Sequence, residues 1–235
     1  MNMKSIRELF RIGTGPSSSH TMGPRFAATK FRTRYPDAQH FTVTLYGSLA
    51  ATGKGHMTDV AILDTLERHG RTAEIIWEPD TFLPYHPNAM KFQGFDAAGN
   101  LLGQMTVYSV GGGAIEVEGE TKTQSAEVYD MDSMTEIKKY CERTGLSYWE
   151  YVEQCEGPEI WDYLRQVWRK MREAVERGLE KEGRLPGPLT LRRTANAYRV
   201  KAAGYRDNLT SRTLPFAYAL AVRAAHASSG RIVPT

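Results

Sequence analysis

The sequence predicts an α/β (α+β) sandwich over residues 1–150, followed by a helical segment over residues 151–235. Three observations carry this expectation. Up to about residue 120, strand-type alternation and helix signals take turns along the chain, the pattern of a sheet covered by helices. Beyond Glu120 the alternation stops, and helix caps with apolar residues at three- and four-residue spacing take over. The chain has 235 residues, of which 41% are hydrophobic, enough to bury a core as one large domain or two small ones.

Taken in order, Ser5-Ile6-Arg7-Glu8 has the capping-box pattern of a helix start. Pro24 suits a first helical position, where a missing N–H removes nothing. Arg25-Phe26-Ala27-Ala28-Thr29-Lys30-Phe31 then continues as an amphipathic helix that stops before Tyr35-Pro36-Asp37. Phe41-Thr42-Val43-Thr44-Leu45-Tyr46 alternates as a half-buried strand does, residues 58–68 read as a helix closed near Gly70, and residues 73–77 form a further strand. Residues 91–95 and 101–108 flank Asp96-Ala97-Ala98-Gly99-Asn100, a turn-rich stretch that makes them a hairpin, and residues 114–117 add another strand.

In the second part, Ser133-Met134-Thr135-Glu136 and Ser147-Tyr148-Trp149-Glu150 are capping boxes with Gly145 as a helix stop between them. Ile160, Leu164, Val167, Met171, Val175 and Leu179 share one face of a long helix ending near Gly183. That stripe is expected to be exposed for a missing domain or for another copy of the chain, making a homo-oligomer. Leu185-Pro186-Gly187-Pro188 breaks the chain, and two more helices are expected near 194–203 and 213–227.

Composition excludes several classes. The net charge of +3 is too mild to imply nucleic acid. Arg165, Arg169, Lys170, Arg172 and Arg177 fall off the apolar stripe and read as a solvated helix face, with no nucleic-acid-reading motif beside them. No apolar run is long enough to cross a membrane, and Met1-Asn2-Met3-Lys4-Ser5 leads into charged residues rather than a signal-peptide core. The cytoplasm is therefore the expected compartment, without a membrane partner. Cys141 and Cys155 are too far apart for a Cys-x-x-Cys motif, so neither a disulfide scaffold nor a self-contained metal or cluster site is expected.

The candidate chemistry lies in loops. Gly15-Pro16-Ser17-Ser18-Ser19-His20-Thr21-Met22-Gly23-Pro24 places hydroxyls and an imidazole before a helix start, which serves equally as an ordinary N-cap and as a site for a small anion such as a carboxylate. Residues 47–55 follow a strand and precede a helix, yet one extra residue separates Gly47 from Gly53, and Gly55 replaces the hydroxyl that a phosphate loop needs. Two readings of this loop remain, a backbone that closely approaches a ligand or partner chain and a simple strand-to-helix turn with His56 as its polar tip. His20, His56 and His86 all fall in loops with small or special-backbone neighbours, where acid and base roles are found. None has the His-x-x-x-His or His-Glu-x-x-His spacing of a zinc site.

These residues also carry a family resemblance. The 15–24 run resembles the opening signature of the β domain, or β subunit, of the iron–sulfur-dependent L-serine dehydratases. Tyr46-Gly47-Ser48-Leu49-Ala50-Ala51-Thr52-Gly53-Lys54-Gly55-His56, His86-Pro87-Asn88-Ala89-Met90 and Tyr108-Ser109-Val110-Gly111-Gly112-Gly113 agree in order and spacing. Gly183-Arg184-Leu185-Pro186-Gly187-Pro188-Leu189 resembles the start of the family's catalytic α domain, and residues 228–235 resemble a point within it, ahead of the cluster-binding cysteines.

The resemblance implies a lyase that converts L-serine to pyruvate and ammonia. A 4Fe–4S cluster, with ligands in an α domain or subunit outside this chain, polarises the substrate hydroxyl, and no pyridoxal phosphate is involved. It implies His20 and His56 as catalytic residues, and Ser17, Ser19, Thr21, His86 and Asn88 as lining the substrate site. The competing expectation is an amino-acid-binding regulatory module without catalysis of its own, since similar α/β domains regulate serine-pathway dehydrogenases.

Overall fold

The structure, a computed structural model, describes residues 3–121, 127–185, 190–204 and 218–219. In chain order the elements begin with β1 (Met3–Lys4), α1 (Ile6–Leu9), a π-helical turn (Ser18–Met22) running into α2 (Gly23–Arg34), and β2 (His40–Tyr46). There follow α3 (Gly47–Thr52), a 3-10 turn (Gly53–His56), α4 (Thr58–Leu66) and β3 (Thr72–Glu78). Then come β4 (Ala89–Phe95), β5 (Leu101–Gly111), β6 (Ala114–Val117) and β7 (Glu127–Tyr129). The helices α5 (Met134–Thr144), α6 (Tyr148–Glu156), α7 (Ile160–Glu180) and α8 (Ala195–Gly204) complete the described chain.

Alternation in β2 turns Phe41, Val43 and Leu45 inward and leaves Thr42 and Thr44 half-buried on the opposite face. Pairing repeats this along the main sheet, whose strand order is β3-β2-β4-β5-β6 among the described residues. Only β2 and β3 run parallel, joined through α3 and α4; the other neighbours are antiparallel. Helices α2 and α4 pack on the inward face, where Phe31 meets Phe92 at 5.4 Å and Phe41 at 6.1 Å between ring centroids. The result is the expected α+β sandwich, with strands and helices close to the positions the sequence predicts.

A second cluster gathers around Tyr129, Cys141 and Tyr151, where α5 and α6 pack with β7. Ser147 and Glu150 form the expected reciprocal capping box, and Gly145 closes α5 in the left-handed region; at Ser133 only half of the expected box forms, its hydroxyl accepting from Glu136 N–H while the Glu136 carboxylate takes that hydroxyl instead of the Ser133 backbone N–H. The first helix departs from expectation. Ser5 caps α1, but Glu8 turns to Arg11 instead of reaching back to Ser5 N–H, and the next donor of the first turn is taken from afar, Glu156 Oε1 accepting from Ile6 N–H at 2.7 Å. Glu156 also accepts from Ser5 Oγ at 2.7 Å and Tyr129 Oη at 2.8 Å, which ties the start of the chain to the end of α6.

Helix α7 forms where its spacing predicts, yet its stripe is not left open. Ile160, Val167, Ala174 and Leu179 are buried, with Phe10 and Ile12 packed against Val167 and Ala174, and Ala195 of α8 packed against Leu179. The expected docking face is therefore largely covered from within the chain, because residues 10–12 supply the apolar cover. Helix α8 matches the expectation at 194–203. The helix expected near 213–227 lies outside the described residues apart from 218–219, as do residues 186–189 and 228–235.

Candidate active site

Four separate loops meet at one end of the sheet. The π turn contributes Ser17 to Thr21, the α3 region contributes Ser48 to His56, the segment before β4 contributes His86 to Asn88, and β5 contributes Ser109. Ser48 N–H donates to Pro87 O at 3.1 Å, Ser109 N–H to Asn88 O at 2.9 Å, and Ser109 Oγ to Ser19 O at 2.7 Å. Two glycines allow this approach. Gly47 lies in the left-handed region at φ +49°, with Pro87 O only 2.8 Å from where its Cβ would stand, and a Cβ on Gly23 would stand 2.4 Å from Ser109 Oγ.

At the centre the imidazoles of His20 and His56 face each other, 4.8 Å apart between centroids and tilted by 37°. His20 Nδ1 lies 2.9 Å from Ser19 Oγ and its Nε2 lies 3.2 Å from Ser48 Oγ. His56 Nδ1–H donates to Thr52 O at 2.9 Å; a carbonyl can only accept, so in the neutral ring the proton sits on Nδ1 and the Nε2 lone pair is the available one. Burial holds the His20 imidazole below its ordinary range, charge on His56 pushes it the same way, and the Ser48 contact offsets part of this. A neutral His20 beside His56 with an uncommitted nitrogen can hold or move one proton, the capability an elimination reaction requires.

The predicted residues are brought together, though in different ways. Ser17 caps the π turn, its hydroxyl accepting from His20 N–H at 3.1 Å. Thr21 is buried, accepts from Ser17 N–H at 3.1 Å and donates to His56 O at 2.7 Å, so its hydroxyl braces the loops. His86 Nδ1 accepts from Asn88 N–H at 3.0 Å; Asn88 Nδ2 lies 3.5 Å from Ser109 O, and its Oδ1 is buried without a hydrogen-bond partner. Ser48, Thr58 and Ser109 were not among the predicted residues. Ser48 and Ser109 lie inside the quoted motifs, but nothing local marks their hydroxyls as aimed at the first loop. Thr58 reads only as the first residue of a helix, whereas its hydroxyl donates to His20 O.

The start of α2 differs from the expected anion site. The helical segment begins at the π turn, so Thr21 and Met22 N–H donate to Ser17 O and Gly23 N–H donates to Ser18 O. The N–H groups expected to be open near Pro24 are already used. A cavity of about 650 Å³ runs along β6 and is lined by Phe26, Tyr85, Tyr108, Glu116, Glu118 and Glu120 among others, with neither histidine of the pair on its wall. Among the described residues no group of three or more His, Cys, Asp or Glu converges to hold a metal. No described helix is long and apolar enough to cross a membrane.

An α+β domain whose sheet end carries a paired-histidine, hydroxyl-rich site is a candidate acid/base scaffold. Comparison with known proteins is more specific. The serine dehydratase β chain family matches residues 5–71 and 67–120, and the chain thus carries a serine dehydratase β domain over that part of its length. L-serine dehydratase TdcG of Escherichia coli (strain K12) is 35% identical over 286 aligned positions, covering 98% of this chain and 62% of that protein. The L-serine dehydratases of Streptomyces coelicolor and Mycobacterium tuberculosis are 33% and 34% identical, covering 97% of this chain and 62% and 60% of theirs. The chain therefore spans about three-fifths of the length of these relatives.

Proposed function

We propose that this chain supplies the acid/base face of an L-serine dehydratase that converts L-serine to pyruvate and ammonia together with a cysteine-bearing α domain or subunit. The observation that carries this reading is the His20–His56 pair, placed where all four motif segments converge. His56 Nε2 takes the α-proton of serine, while His20, kept neutral and hydrogen-bonded to Ser48 and Ser19, steadies the transferred proton. Loss of the β-hydroxyl gives aminoacrylate, which tautomerises and hydrolyses to pyruvate and ammonia.

Departure of hydroxide at neutral pH calls for a Lewis acid, and the family resemblance names a 4Fe–4S cluster for that role. The described residues do not fit one. Cys141 and Cys155 sit in the apolar cluster with Tyr129 and Tyr151, and burial pushes the Cys155 thiol up, away from the thiolate a cluster requires. The cluster ligands belong in this reading to the α domain. Two free thiols accord with a reducing compartment, and we place the protein in the cytoplasm.

The test is to combine this chain anaerobically with the α-domain part of a related L-serine dehydratase, iron and sulfide, and to measure pyruvate from L-serine. Pyruvate should form only when both parts are present. Serine binding by this chain without turnover in a complex of the two parts shown to carry the cluster would instead favour the regulatory module.

A further inference from the structure

Two buried threonines tie the candidate histidines together through each other's backbone. Thr21, the residue after His20, donates its hydroxyl hydrogen to His56 O at 2.7 Å. Thr58, two residues after His56, donates to His20 O at 2.5 Å. The two bonds cross between the same pair of loops, and the threonines are 2% and 0% exposed, so water does not compete for either. Met57 makes the second arm possible. Its backbone is left-handed at φ 57°, a conformation unfavourable for a non-glycine residue that persists only where its surroundings enforce it. That turn reverses the chain between His56 and Thr58, letting one loop present its ring and its hydroxyl to the same opposing segment.

We propose that Thr58 is a positioning residue that, with Thr21, forms a crossed brace fixing the separation of the His20 and His56 rings and the direction of His56 Nε2. This deepens the reading of the pair as the acid/base centre and rests on it for its catalytic meaning, while the brace itself is measurable without turnover. The brace acts on backbone carbonyls, so each ring keeps its own side-chain contacts, to Ser19 and Ser48 for His20 and to Thr52 O for His56. Removing one hydroxyl therefore shifts one ring against the other without deleting a group from either. Burial and then the charge on His56 hold His20 down, so its titration responds both to the enclosure of the ring and to its distance from His56, and the ring-to-ring cross-peaks report the distance by itself.

The experiment uses the full 235-residue chain with labelled histidines and follows ring resonances against pH by NMR. In the wild type, His20 titrates below the ordinary range and shows ring-to-ring cross-peaks with His56. Thr58→Val, equal in shape but lacking the hydroxyl, should weaken those cross-peaks and raise the His20 midpoint by about half a pH unit or more, roughly a threefold change in proton affinity. Thr58→Ser should restore both. A folded Thr58→Val chain with wild-type cross-peaks and an unchanged midpoint overturns the brace. Should that variant fail to fold, the wild type decides, because both threonine hydroxyl protons should exchange slowly enough to be seen, and rapid exchange at either overturns the proposal. Neither readout depends on serine turnover, so an inactive assembled enzyme leaves this result standing.

Discussion

Glu156 supplies the acceptor that the first turn of α1 lacks, taking the Ile6 N–H at 2.7 Å from 150 positions further along the chain. The same carboxylate accepts from Ser5 Oγ and Tyr129 Oη, so one side chain satisfies three donors around it.

Glu156→Ala leaves those donors without their partner in a partly buried place. The expected loss is about 2 to 4 kcal/mol of stability, and Glu156→Gln, which keeps one acceptor oxygen, should lose less than half as much. Urea unfolding of the three chains measures this. Equal losses for Ala and Gln would mean that the carboxylate geometry, and not the number of acceptors, holds the segment.

Acid should weaken the fold through His20. Its folded-state affinity for a proton lies below that of the unfolded chain, whose midpoint is near 6.5, because burial and then the charge on His56 disfavour the cation. The unfolded chain binds more protons in that window, so the contribution is present above about pH 6.5 and is lost as pH falls through it toward the folded midpoint. Wild type should lose more stability than His20→Asn between about pH 7.5 and about pH 5.5, measured as urea midpoints. Parallel losses in the two chains would remove His20 from the explanation.

Gly23 has no room for a side chain. A Cβ there would meet Ser109 Oγ at 2.4 Å and Ser109 Cβ at 3.1 Å, displacing the hydroxyl that donates to Ser19 O. Gly23→Ala should cost about 1.5 to 3 kcal/mol, and Ser109→Gly in the same chain should recover part of it. A double-mutant cycle should give a coupling of about 1 kcal/mol or more; strict additivity would mean that the two residues do not compete for the same space.

His56 separates chemistry from stability. It is half-buried, and its Nδ1 contact is to the Thr52 carbonyl of its own loop, so His56→Ala should shift the thermal midpoint little. In the enzyme assembled with an α domain, the same change should lower turnover by about a hundred- to ten-thousand-fold, the loss expected of a missing acid/base group. Near-normal turnover with a much lower midpoint would make His56 a structural residue.

Local signals were readable because they are local. The capping box at Ser147 and Glu150, the stop at Gly145 and the periodicity of α7 each depend on residues a few positions apart, and each appears where the sequence places it. The short pairing of β1 with β7 leaves no such trace, since two or three residues carry no period. Glu156 could not be read as the cap of α1, because the acceptor lies 150 residues from the N–H it satisfies. At the site, His20, Ser19 and Ser17 were legible as a hydroxyl-rich loop, whereas Ser48, Thr58 and Ser109 act through bonds to a loop 28 to 90 residues away. The expected open helix start failed for a similar reason. The π turn uses the N–H groups that a helix beginning at Pro24 would have left free.

The covering of α7 by Phe10 and Ile12 fixes an order of assembly. During synthesis residues 3–12 emerge before the sheet, yet β7, Glu156 and α7, to which they attach, are made more than a hundred residues later. At ordinary translation rates the early segment waits roughly ten to thirty seconds for those partners. The strand pairings and the bonds between the histidine loops lie within residues 17–121 and can be complete while that segment is held to the sheet only by side chains such as Arg11, whose guanidinium donates to Gly112 O at 2.8 Å. The helical unit thus closes around a strap threaded in from the front of the chain, making the docking of residues 3–12 a late, long-range step in folding.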